Sequence, residues 1–427
     1  MIKNILSGMG YFLVTSLTII VILMIIAVLN PQIITFVGNG NNEAIPTDET
    51  TEKPTSAYTA PVTVKPAATE ENKNENNEIL NGVIDSIVNN SVSYDGDLEL
   101  PVNGATGYAS VNINVISDDF SVIATLKAGT AFLILQETDE FWYISFKTDE
   151  SDGSMKEGWV RHAYCMINLP DVIPSIIYNN TNAYKSLFRS RGAYIPNITG
   201  EQLYSYTDGD YEGHEGRAYN ERLNKYEYIV PVLYSMSKRI CKAQHNALAE
   251  GNTLVIYEGF RPYSVQRLVA VELQKYANAE PFIMKGINTG SWSIGWFIAT
   301  GVSNHQQGYA IDTNLAWFKE KDTVMMVTGK YKYMQIQNYA EHYMFTPIHE
   351  LSTDAVIYTG PHSTEFSDAM KDCIPAQNLQ KYCMDAGLSP LASEWWHFND
   401  EETHRTTPAL GEGKYEIKDC LSKPPTS

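Results

Sequence analysis

Cysteine is scarce and unpatterned in this chain. The five residues, Cys165, Cys241, Cys373, Cys383 and Cys420, form no C-x-x-C pair, which excludes the usual structural zinc sites. Their odd number excludes a fully paired disulfide framework. Buried free thiols are the simpler reading, with a Cys373–Cys383 bridge across a short loop as the alternative. Basic clusters are missing too. The chain carries 31 Lys and Arg against 50 Asp and Glu, a formal charge of −19, which excludes nucleic acid as a partner class because phosphate binding needs grouped cations. There are no internal repeats. The first forty residues lack charge of either sign almost entirely, Lys3 being the sole charged side chain before Glu43.

What stands in that uncharged stretch is the run Ile5 to Leu29, dominated by Ile, Leu, Val and Met. It exceeds the about 20 apolar residues a helix needs to cross a bilayer. Leu29-Asn30-Pro31-Gln32 follows it, without the small-residue cleavage pattern of a secretory signal. The expectation is a single-pass transmembrane anchor with a cytoplasmic tip over residues 1–36, which leaves the later domains extracytoplasmic at the cell membrane. A long cleaved signal peptide is the alternative.

Residues 37–100 then turn acidic and polar. Asn41 to Leu100 holds twelve Asp and Glu and three Lys, a net of −9. Such a composition cannot bury enough apolar surface to order itself, so a disordered tether is expected. Residues 101–170 change to short alternating runs such as Val111-Asn112-Ile113-Asn114-Val115, with turn signals at Lys127-Ala128-Gly129-Thr130. These predict a small all-β barrel. Asn114-Val115, Leu126-Lys127-Ala128-Gly129 and Gly158-Trp159-Val160 make it similar to the bacterial Src-homology-3-like domains of cell-wall enzymes, with Ile116 where those have Arg.

From residue 171 to 427 helical and strand patterns mix. Helical spacing over Val232 to Glu250 ends at Gly251, a strand is expected over Thr253 to Tyr257, and a helix over Pro375 to Ala386 ends at Gly387. Three segments carry chemistry. In Ser303-Asn304-His305-Gln306-Gln307-Gly308-Tyr309-Ala310-Ile311-Asp312, one continuous helix would hold His305 and Asp312 about 10 Å apart. To reach one metal ion the segment must bend, and Gly308 permits it. Asp312 also lies among apolar strand residues, where an unpaired carboxylate is costly. In Glu394-Trp395-Trp396-His397-Phe398 a carboxylate three residues before a His is wrapped in aromatics, which would raise its pKa toward the range of a proton shuttle. Residues three apart face opposite sides of a straight strand, so a bulge or strand end is required there. In Glu258-Gly259-Phe260-Arg261-Pro262 the guanidinium could face a cleft and stabilise an oxyanion. Each segment taken alone also fits a purely structural role.

In this order the three segments resemble the zinc D-Ala-D-Ala peptidase family, the vancomycin-resistance-type D-alanyl-D-alanine dipeptidases and related D,D-carboxypeptidases. The resemblance spans about Tyr219 to Asn399. It implies an α+β peptidase domain with a central antiparallel sheet. It also implies Zn(2+) held by His305, Asp312 and His397, with Glu394 as the catalytic base. Arg261 would support the transition state, and Ser303 would lie near the substrate. The partners it implies are peptidoglycan stem peptides or free D-Ala-D-Ala. The dipeptidases carry a Thr-x-Phe-Asp stretch for the substrate amine; here Thr364-Glu365-Phe366 is followed by Ser367, with Asp368 one place later. D,D-carboxypeptidase action is therefore the expectation, with free-dipeptide hydrolysis and non-catalytic wall binding as alternatives. Lys285 to Thr300, rich in Gly, Ser and Trp, reads as an inserted lid or loop.

Overall fold

The computed structural model describes residues 85–148, 153–207, 213–407 and 411–426. The anchor expected within residues 1–36 lies outside them. Among the described residues no helix is long and apolar enough to cross a membrane, so a membrane-spanning helix is withdrawn from the fold class. The longest, Tyr263–Ala279, has 17 residues and carries Gln266, Arg267, Glu272 and Lys275, too short and too polar for a span.

Alternation builds an eight-stranded sheet over the stretch where short strands were expected. In Phe141–Lys147 the residues Trp142, Ile144 and Phe146 point inward while their neighbours stay half-exposed. Gly158 is required in the Met155–Arg161 strand, because a Cβ there would stand 2.6 Å from Val115 Cγ1. One edge strand of this sheet, Pro231–Leu233, comes from beyond residue 170 and pairs with Cys165–Asn168. That strand leads directly into the helix Tyr234–Leu248, so the sheet and the α+β part share one hydrophobic core containing Ile167, Val232, Met236 and Leu254. The end of the polar segment is also ordered. Val92 bridges to Tyr331, and Leu98, Leu100 and Val102 are buried.

The central sheet runs in the order Ser389–Leu391, Glu394–Asn399, Ala310–Trp317, Asn252–Glu258, Ile177–Tyr178, with Ala340–Glu341 also pairing the Ala310–Trp317 strand. It is a mixed sheet, and this corrects the expected antiparallel one: Ile177–Tyr178 pairs in parallel with Val255 and Ile256. A two-residue strand is too short to show a periodicity in sequence. The Tyr234–Leu248 helix buries Met236, Ile240 and Ala247 against this sheet and stops near Gly251, whose φ of 74° only glycine adopts freely. All five cysteines are free thiols.

Candidate metal centre

Register sets the site. Glu258 stands opposite Asp312, and Asp312 opposite His397, so three adjacent strands present these side chains in one row. His305 arrives from a single turn of 3-10 helix, Asn304–Gln307, capped by Ser303 and Gln306. The bend to Asp312 is made at Gly308, with φ 76°; a Cβ there would meet Met166 Sδ at 2.9 Å and Leu233 N at 3.1 Å. Glu394 is the first residue of its strand, beside a register shift between Pro390 and Leu391. That irregularity brings Glu394 and His397, three residues apart, to one side.

His305 Nε2, His397 Nδ1 and Asp312 Oδ1 converge. Their separations are 3.2 Å between the two histidine nitrogens, 3.1 Å from His397 to Asp312 and 3.4 Å from His305 to Asp312. Ligand atoms about 2.0–2.1 Å from a zinc ion at tetrahedral angles stand about 3.3 Å apart. The other ring nitrogens fix the tautomers. His305 Nδ1 donates to Gly259 O at 2.7 Å, and His397 Nε2 donates to Asn399 Oδ1 at 2.9 Å. With those nitrogens donating outward, His305 Nε2 and His397 Nδ1 both face a carboxylate oxygen, a place for a metal ion or, in its absence, a proton. The residues therefore fit a tetrahedral metal ion with its fourth position open.

No protein-family model matches the chain, and no curated protein does.

Titration behaviour reflects the same crowding. Burial alone would raise Asp312, but the facing His305, with the hydrogen bonds from His305, His349 and His397, holds its carboxyl well below the usual range. Burial lowers His305. Burial also disfavours a charged His397, yet its hydrogen bond to Asp312 and the Asp312 and Glu394 charges outweigh that and raise it. In the metal-free protein a proton is thus drawn to the place of the cation. Glu394, 3.6 Å from His397 Nδ1 and nearly enclosed, is pushed up to about 8 by burial.

Arg261 is buried behind Asp312. Its Nε donates to Glu258 at 2.9 Å, Nη1 to Gln266 at 2.9 Å, and Nη2 to both Glu258 and Asp312 Oδ2, the latter at 3.0 Å. Four of its five N–H donors are thereby engaged, leaving one for a ligand. Glu258, Asp312 and His349 form a second cluster of metal-ligand type, but the Arg261 guanidinium already supplies its cation.

Arg261, His305, Asp312, His349, Glu394 and His397 line a cavity of about 280 Å³. Ser303 lies in its wall, its Oγ 3.4 Å from Gln266 Oε1. Phe188, Trp296, Phe297, Ile298, Leu391 and Trp396 make the apolar walls. Part of the Lys285–Thr300 loop is thus a wall of the site, fastened by Gln266 Nε2 to Ala299 O at 2.9 Å and Ser393 Oγ to Trp296 O at 2.5 Å. Sequence reasoning left out Glu258, His349 and this wall. Glu258 carried the signal used for Asp312, a carboxylate in an apolar strand; His349 carried none.

Proposed function

We propose that the chain is a zinc-dependent peptidase that hydrolyses the terminal D-Ala-D-Ala amide bond of peptidoglycan stem peptides, a D,D-carboxypeptidase. One observation carries this reading: two histidine lone pairs and one carboxylate oxygen meet at zinc-ligand spacing with the Glu394 carboxylate beside them. His305, Asp312 and His397 would hold a zinc ion, which would supply Lewis-acid activation of water and of the scissile carbonyl.

The chain's own residues do the rest. Glu394 takes the proton of the attacking water and passes it to the departing amine. A dication beside it would favour the ionised, proton-accepting form of this carboxyl. Arg261 holds Asp312 in place and offers its one remaining N–H to the developing oxyanion. Small cavity volume and aromatic walls favour the methyl side chains of a D-Ala-D-Ala end.

Free-dipeptide hydrolysis receives less support. It needs an acid near the substrate amine, and the Asp368 side chain is 98% exposed and no part of the cavity wall. A binding-only protein is disfavoured because ligands and base are all in place. Incubating the full chain with zinc and either D-Ala-D-Ala or a stem pentapeptide, then measuring released D-Ala, separates the readings. Release from the pentapeptide alone is expected. Release from the dipeptide alone favours the dipeptidase, and pentapeptide binding without release favours the binding protein.

A further inference from the structure

His349 occupies a tight turn in left-handed backbone, φ 61°, a conformation that side chains with a Cβ rarely adopt. Its ring is 1% exposed, and its Nδ1 has no hydrogen-bond partner. Backbone strain and an unpaired buried nitrogen at the same residue are two costs, and costs of this kind persist where a site demands them. Phe188 stacks on the ring at 4.7 Å, and Trp396 stands edge-on at 6.2 Å. What this clamped ring achieves is one polar contact, Nε2 to Asp312 Oδ2 at 3.2 Å.

The two oxygens of Asp312 are therefore divided in their work. Oδ1 faces His305 and His397. Oδ2 accepts from Arg261 Nη2 at 3.0 Å and from His349 Nε2. Donors from two directions on one oxygen prevent the carboxylate from rotating and from turning both oxygens to an ion.

We propose that His349 is a positioning residue for the metal centre, its Nε2–H locking Asp312 so that Oδ1 alone is presented to zinc. The proposal rests on the zinc reading above. Groups of this kind behind a ligand are typically worth about 10–100-fold in metal affinity.

Two substitutions separate positioning from packing. The amide nitrogen of Gln reaches the place of Nε2, whereas that of Asn stops near Nδ1; Asn, however, tolerates left-handed backbone better. Stability alone therefore favours Asn and zinc binding favours Gln. The measurements are zinc affinity of the full chain by competition with a chromophoric chelator, and melting of the metal-free protein. His349→Asn is expected to bind zinc about 10–100-fold more weakly than wild type, while melting at or above His349→Gln. His349→Gln is expected to bind zinc close to wild type. Wild-type affinity in His349→Asn overturns the proposal, as does equal weakening of both variants. If His349→Gln does not fold, the His349→Asn affinity decides alone. A wild-type chain that binds no zinc defeats the reading of the centre itself, a result the wild-type control keeps distinct from failure of this proposal.

Discussion

Asp312 faces His397 across an antiparallel pair, with Oδ1 3.1 Å from Nδ1. Between those two atoms there is room for a proton in the metal-free protein, and both can turn to one metal ion when it is present. This pairing, closed into a triangle by His305, makes the metal the centre of the account.

Removing a corner should remove the metal. His305→Ala and His397→Ala each leave two protein donors, and both variants should lose zinc on dialysis while the wild type retains it. Elemental analysis checks this. Full zinc in either variant would mean that the ligand set is wrong.

Glu394→Gln keeps the shape of the side chain and removes the proton acceptor. Turnover should fall by about 10²–10⁴-fold with zinc still bound. The substitution also has a pH signature in the metal-free protein. A carboxyl raised from 4.5 to about 8 by burial contributes stability that is complete below 4.5 and is lost as pH rises through about 8. Between those values the melting temperature of metal-free wild type should drop relative to metal-free Glu394→Gln. A constant difference would show that burial does not hold the proton there.

Arg261 lies between two buried carboxylates, Glu258 and Asp312. Arg261→Ala would leave both without their cation, which costs about 3–5 kcal/mol when a buried pair is broken. The loss should appear in denaturant unfolding of the metal-free chain. Unchanged stability with slowed turnover would instead assign Arg261 wholly to the oxyanion.

Gly308→Ala tests the bend between His305 and Asp312. A Cβ at φ 76° is strained and meets Met166 and the Leu233 backbone, so a loss of about 1–3 kcal/mol is expected, together with weaker zinc binding. Equal zinc affinity and stability in the variant would show that the turn does not set the ligand geometry.

The site was legible in sequence where local physics forced it. Asp312 among apolar strand residues, the bend at Gly308 and the strand end at Glu394 followed from the cost of a lone charge, from helix rise and from strand parity, whereas a ligand set of His305, Asp312 and His397 was implied by the family resemblance. His349 was not legible, because the polar contact of its ring reaches back 37 positions to Asp312. The parallel pairing of Ile177–Tyr178 and the use of Pro231–Leu233 as an edge strand of the eight-stranded sheet were also hidden. Segments of two or three residues carry no period, and tertiary contacts assign them. Nor did composition reveal the Lys285–Thr300 wall, whose bonds at Ala299 and Trp296 are made to distant Gln266 and Ser393.

The most direct test is titration of the metal-free full chain with zinc while D-Ala release from a stem pentapeptide is followed. Release should be absent without metal, rise in proportion to added zinc and level off at about one ion per chain, as a single three-ligand catalytic centre requires. Release that proceeds undiminished in the metal-free protein, or none at any zinc concentration, would contradict the account.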